Sequence, residues 1–176
     1  VFKVSFKRSF YLPNWHPYAD YSKEYTARKS LGGGVIRTLS HEIDLSVNWF
    51  GNPIKVNGIV DKVSKLQLDV DDYAFFSCKM INGARVNFEL DFFSPFNVTY
   101  GELFNARGKY HWDNKDLFFT SYSDKSPRLI KSFNSAINDM YSNQIIDFLQ
   151  FIDGKNSLNA TYEEAINVCK IIKSVE

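Results

Sequence analysis

Cysteine is nearly absent: Cys78 and Cys169 stand alone in 176 residues, far apart and with no neighbouring ligand residues. That spacing excludes a disulfide-stapled scaffold and a thiolate metal site. Two buried thiols in a reducing, cytoplasmic compartment are the expectation. Net charge is nearly absent too, +1 from 21 basic and 20 acidic residues, so no global field favours nucleic acid or an acidic membrane. No apolar run approaches a membrane span, and there is no signal-peptide layout, internal repeat or low-complexity tract. The sequons Asn97-Val98-Thr99 and Asn159-Ala160-Thr161 are of a kind that arises often by chance. The opening VFKVSFKRSFYLP reads as a strand from its first residue, without Met or lead-in, which suggests a piece of a larger chain.

Aromatic residues are abundant instead, at 16%, with 16 Phe and 10 Tyr. They favour pleated, half-buried surfaces and so a sheet-rich fold. The length suits one domain, residues 1–176. In YAFFSCKMINGARVNFELDFF, Val86, Phe88, Leu90 and Phe92 alternate with polar residues, and Asn82-Gly83 separates two such runs as a hairpin turn. Further strands are expected near 97–104, 108–113 and 116–122. Helices follow at 136–153, with an apolar stripe of Ile137, Tyr141, Ile145, Phe148 and Ile152, and after a capping box at Thr161 to Glu164. Ala165, Cys169, Ile172 and Val175 are the expected apolar face of that last helix. The fold class is α+β: a mostly antiparallel open sheet with helices on one face.

One stretch carries chemistry. In LGGGVIRTLSHEID, three glycines precede a helix expected over 35–50, closed by Gly51 and Pro53. At about 100° per residue, Ile36, Leu39, Ile43, Val47 and Phe50 fall on one side. His41 falls nearly opposite, beside Arg37, Thr38, Asp44 and Asn48, facing either water or a cleft. The glycine run lacks the GxGxxG spacing and the βαβ setting of a dinucleotide fingerprint.

The stretch LPNWHPYADYSKEYTARKSLGGGVIRTLSHEIDLSVNWFG resembles the C-terminal domain of the Gfo/Idh/MocA oxidoreductases, and LQLDVDDYA, the meander, NDMY and the last capped helix agree in order. The resemblance implies the substrate-binding and oligomerisation half of an enzyme whose N-terminal Rossmann domain binds NAD or NADP and is not in this chain. His41 would then be the acid/base on a substrate hydroxyl, a task suited to imidazole near neutral pH. Gly32, Gly33 and Gly34 would bring backbone near the nicotinamide. Many members place an Asp where Thr38 stands here. Asp44 could orient His41 instead, or pair with Arg37.

The loop before the glycines offers Trp15, His16, Tyr18, Tyr21 and Tyr25, whose faces stack on sugars and whose polar tips bond hydroxyls. The alternative is a loop pinned to the sheet by its aromatics. Arg28 and Lys29 could bind an anionic group or simply be solvated. Asp69, Asp71 and Asp72 read as a solvated strand edge and not a metal site, because alternation splits them between faces. Asn138 and Asp139 read as helix-start residues. The expected partners are a sugar substrate, the protein's own Rossmann domain and a second copy through the free sheet face. The competing expectation is a non-catalytic ligand-binding or dimerisation domain.

Overall fold

The computed structural model describes residues 1–133, 137–155 and 161–176. Residue 136, the Ile137 side chain and Asn159 of the second sequon lie outside them. Eight strands form one sheet: β1 (Lys3–Ser9), β2 (Pro53–Asp61), β3 (Tyr73–Met80), β4 (Arg85–Asp91), β5 (Val98–Asn105), β6 (Gly108–Trp112), β7 (Asp116–Ser121) and β8 (Pro127–Ser132). Their order is β2-β3-β4-β1-β5-β6-β7-β8. Every neighbouring pair is antiparallel except β1 with β4. The β3–β4 hairpin turns where Asn82-Gly83 predicts it. Gly83 has φ +90 and Asn82 Oδ1 accepts from the Ala84 amide at 3.0 Å.

Alternation buries one face of the central strands. Val4 and Phe6 of β1, Phe76 of β3, and Val86, Phe88 and Leu90 of β4 are at most 3% exposed. Phe88 stacks on Phe76 at 4.5 Å and on Phe6 at 5.5 Å. Three helices cover this face: α1 (Val35–Thr38), α2 (His41–Phe50) and α4 (Tyr162–Val175). They contribute Ile36, Ile43, Val47, Phe50, Val168 and Ile171. Each such side chain stabilises the fold by about 1.5–3 kcal/mol.

The helix expected over 35–50 is broken. Leu39 leaves helical backbone at φ −97, ψ 38, and α2 restarts at His41. Both pieces keep their apolar rows on the sheet, so the expected core positions survive the break. In α4 the buried row is Val168, Ile171 and Ile172, while Ala165 and Cys169 are exposed. Larger branched side chains occupy the contact because they bury more area than Ala or Cys. Only Cys78 is a buried thiol. Residues 62–72 are not a strand. Asp72, expected at a solvated edge, is fully buried and accepts from the Val63 amide (2.7 Å) and Ser64 amide (3.1 Å).

The remaining helix, α3 (Ile137–Ile152), begins close to its expected start and includes Asn138 and Asp139 in its first turn. Its stripe residues Tyr141, Ile145, Phe148 and Ile152 are each more than half exposed instead of packed. The opposite sheet face is more ionic than its aromatic content suggests. Lys7 pairs with Glu89 at 2.9 Å, Lys3 with Glu102 at 3.6 Å, and His111 stacks on Phe118 at 4.9 Å. Among the described residues, no helix is long and apolar enough to cross a membrane.

Candidate functional site

A cleft of about 580 Å³ opens where β1 ends, lined by Arg8, Phe10, Tyr11, Asn14, Trp15, Tyr25, Thr38, Leu39, His41, Pro95 and Asn97. Three pieces of chain build it. The inward row of β1 runs Val4, Phe6, Arg8, so the strand delivers an arginine past its apolar residues. The loop after β1 is anchored by rings: Phe92 against Phe10 at 5.2 Å, then Phe10 against Trp15 at 4.9 Å. The α1–α2 break supplies Thr38, Leu39 and His41 together.

The cleft thus gathers Trp15, Tyr25, Thr38 and His41 of the residues expected from sequence, while Lys29, Gly33 and Arg37 line a separate cavity of about 450 Å³ with Asp69, Asp71 and Glu176. His16 stacks on Trp15 at 4.9 Å and sets Nδ1 3.5 Å from Glu24. Tyr18 stacks on His16 at 5.6 Å and is 86% exposed. Arg28 faces Asp69 at 3.9 Å. Arg37 forms two bonds to Glu176, at 2.6 and 2.8 Å, and so is not the partner of Asp44. Among the described residues, Asp44 makes no side-chain hydrogen bond to His41.

The glycines serve a tight internal turn. Gly32 closes a short 3-10 turn with φ +79. A side chain on Gly33 would run into the carbonyls of Tyr25 and Thr26. Gly34, at φ +120, has the Asp71 carboxylate against it. Asp71 in turn accepts from the Ile36 amide at 3.2 Å through its side chain and from the Val35 amide at 3.1 Å through its carbonyl. Burial pushes the Asp71 carboxyl up, against the pull of those amides. The Val35 and Ile36 amides at the start of α1 are therefore already paired within the chain.

Polar atoms without partners occur in the cleft lining, at Thr38, and next to His41 in the chain, at Glu42. Thr38 Oγ1 and Glu42 Oε2 are buried and have no hydrogen-bond partner among the described residues. Burial pushes the Glu42 carboxyl up, with its own amide, Arg8 and His41 opposing. Such groups cost free energy unless something bonds them. His41 is exposed at the rim, able to exchange a proton with a bound hydroxyl. Arg8, Tyr11, Asn14, Pro95 and Asn97 are lining residues that sequence reasoning missed. For Arg8 a signal existed, since a charge interrupts the inward row of a central strand. For Asn97 none did, because a loop residue joins the cleft only through the fold. No cluster of metal-binding side chains occurs among the described residues.

The family described as the GFO/IDH/MocA C-terminal domain matches residues 3–111, which include every residue lining this cleft. No curated protein matches by sequence. Among solved structures, a levoglucosan dehydrogenase in complex with NADH is similar at 17% identity and TM-score 0.82, over 99% of this chain and 55% of that one. An aldose-aldose oxidoreductase from Caulobacter crescentus, complexed with glycerol, gives 16% and 0.78, over 99% and 52%. The UDP-N-acetylglucosamine 3-dehydrogenase GnnA from Acidithiobacillus ferrooxidans gives 15% and 0.76, over 98% and 52%. These likenesses establish the fold. The chain spans about half the length of these structures.

Proposed function

Since the chain belongs to the Gfo/Idh/MocA C-terminal domain family, we propose that it is the substrate-binding half of an NAD(P)-dependent oxidoreductase acting on a sugar or sugar derivative. The observation that carries this reading is His41 at the rim of a cleft that Thr38 also lines, with Thr38 Oγ1 buried and unpartnered. A polyol supplies both donors and acceptors to such atoms, and Trp15 and Tyr25 offer aromatic faces to its ring. Nicotinamide, when bound mainly by an N-terminal Rossmann domain, supplies hydride transfer at the substrate carbon. The residues of this chain hold the sugar and move its proton. In the oxidative direction the substrate O–H gives its proton to the imidazole of His41 as the C=O forms, and in the reductive direction His41 returns it. Thr38 accepts from or donates to a neighbouring hydroxyl in place of the carboxylate many relatives carry.

On this reading the chain alone does not turn over substrate. The ionic sheet face is the surface for a second copy. The unpaired thiols suit a reducing compartment. The test is nicotinamide reduction by the protein carrying both domains, across a sugar panel, with His41→Ala as control. Turnover is expected with at least one sugar and is lost in the variant. Undiminished turnover in His41→Ala removes His41 from the mechanism. Thr38 in the carboxylate's place favours a second reading, a non-catalytic sugar-binding domain, which predicts binding without nicotinamide reduction for every sugar.

A further inference from the structure

We propose that the ligand of this cleft is an acidic sugar, carrying a carboxylate or a phosphate, and that Arg8 binds its anionic group; the inference rests on reading the cleft as a substrate site. Arg8 occupies a position where an arginine needs a reason. It follows Val4 and Phe6 on the inward row of a central strand, in register with Leu90 of β4 and Thr99 of β5. Its neighbours in that row are at most 3% exposed. Arg8 itself is half-buried; a guanidinium stays charged at any accessible pH, and withdrawing it even partly from water is unfavourable unless a partner compensates.

The described residues supply no such partner. Among the described residues the Arg8 guanidinium makes no ion pair and no side-chain hydrogen bond. Glu42 is near enough to feel its charge but not to form a pair, and Glu42 Oε2 is itself unbonded. Thr99 Oγ1, directly across the β1–β5 register, is buried without a partner as well. The cavity therefore holds one planar, five-donor cation together with Thr38, whose Oγ1 lacks a hydrogen-bond partner. A neutral sugar would satisfy that oxygen and leave the charge uncompensated. A carboxylate or a phosphate matches the fork of the guanidinium with two parallel bonds, while hydroxyls of the same ligand reach Thr38 and His41.

The experiment is calorimetric titration of the two-domain protein, without nicotinamide, with glucuronate, glucose 6-phosphate and glucose. At least one acid is expected to bind about tenfold or more tightly than glucose, the margin of a charge-assisted hydrogen-bond pair. Whichever acid binds identifies the anion. Arg8→Gln abolishes the preference, Arg8→Lys retains part of it, and added salt weakens acid binding more than glucose binding. If Arg8→Gln fails to fold, Arg8→Lys and the salt series decide. The proposal is overturned if glucose binds as tightly as both acids, or if the acid preference persists unchanged in the folded Arg8 variants. The two readings separate cleanly. Arg8-dependent acid binding without nicotinamide reduction sinks the oxidoreductase, whereas turnover of neutral sugars with no acid preference sinks only the anion site.

Discussion

Replacing Glu42 with glutamine is expected to stabilise the protein at neutral pH. The carboxyl sits between His41 and Ile43 with Oε2 buried and unbonded. Desolvation outweighs the attraction of Arg8 and His41, so its folded titration lies above the ordinary value of 4.5. The sign follows by linkage. A raised folded pKa means that the protonated form stabilises the fold, fully so below 4.5, and that this stability is lost as pH rises through the folded value. Glutamine keeps the shape and removes the charge. Its benefit is thus absent in acid and grows toward neutrality. An unsatisfied buried group costs about 1–3 kcal/mol, and the offset from Arg8 places the gain at the lower end, about 1 kcal/mol. For a chain of this length that raises the melting temperature by roughly 2–4 °C. Thermal unfolding followed by circular dichroism, at neutral pH and again below 4.5, reads the difference directly. Asp71, whose carboxyl is also raised by burial, is common to both proteins and cancels. A Glu42→Gln protein that melts lower at neutral pH, or whose gain is the same at both pH values, refutes the reasoning.

Gly33→Ala is expected to destabilise by about 1–3 kcal/mol, because the new methyl meets two backbone carbonyls, not a side chain that can move; an unchanged thermal midpoint would show that the turn yields. The thiols give a separate check. Cys78 is buried, its pKa pushed up to about 12 by desolvation, while Cys169 is exposed. Ellman's reagent is expected to titrate Cys169 alone in the native protein and both thiols in denaturant, and fast reaction of both in native buffer would contradict the packing of β3.

Local pattern carried most of the fold. Val86, Phe88 and Leu90 alternate because one sheet face is buried, and Asn82-Gly83 turns because Gly83 must adopt positive φ. Periodicity also found the core side of residues 35–50, but not the break at Leu39, which leaves the same residues buried and hence has no signature in the apolar pattern. In α4 it found Ile172 and Val175 but set Ala165 and Cys169 where Val168 and Ile171 make the contact, since Ala and Cys are apolar but too small to compete for it. The cleft was legible where one segment carried it, at Thr38 and His41. Pro95 and Asn97 were not, because a distant loop brings them there. At the glycines, the groups that approach Gly33 and Gly34 most closely are the chain's own carbonyls and Asp71, a demand of the turn that the sequence alone does not display.

The position of β1 has a consequence for how the molecule holds together. Every other strand pairing joins neighbours in the chain, so β2-β3-β4 and β5-β6-β7-β8 are two self-contained meanders. Among the described residues they share no pairing with each other. β1 is the seam between them, bonded to Arg85–Asp91 on one side and Val98–Phe104 on the other. Its insertion closes two open edges at once and carries most of the long-range ordering that slows a topology of this kind. Arg8 lies on that same seam. The group that faces the cleft's ligand is therefore mounted on the one strand that neither half of the sheet can shift independently.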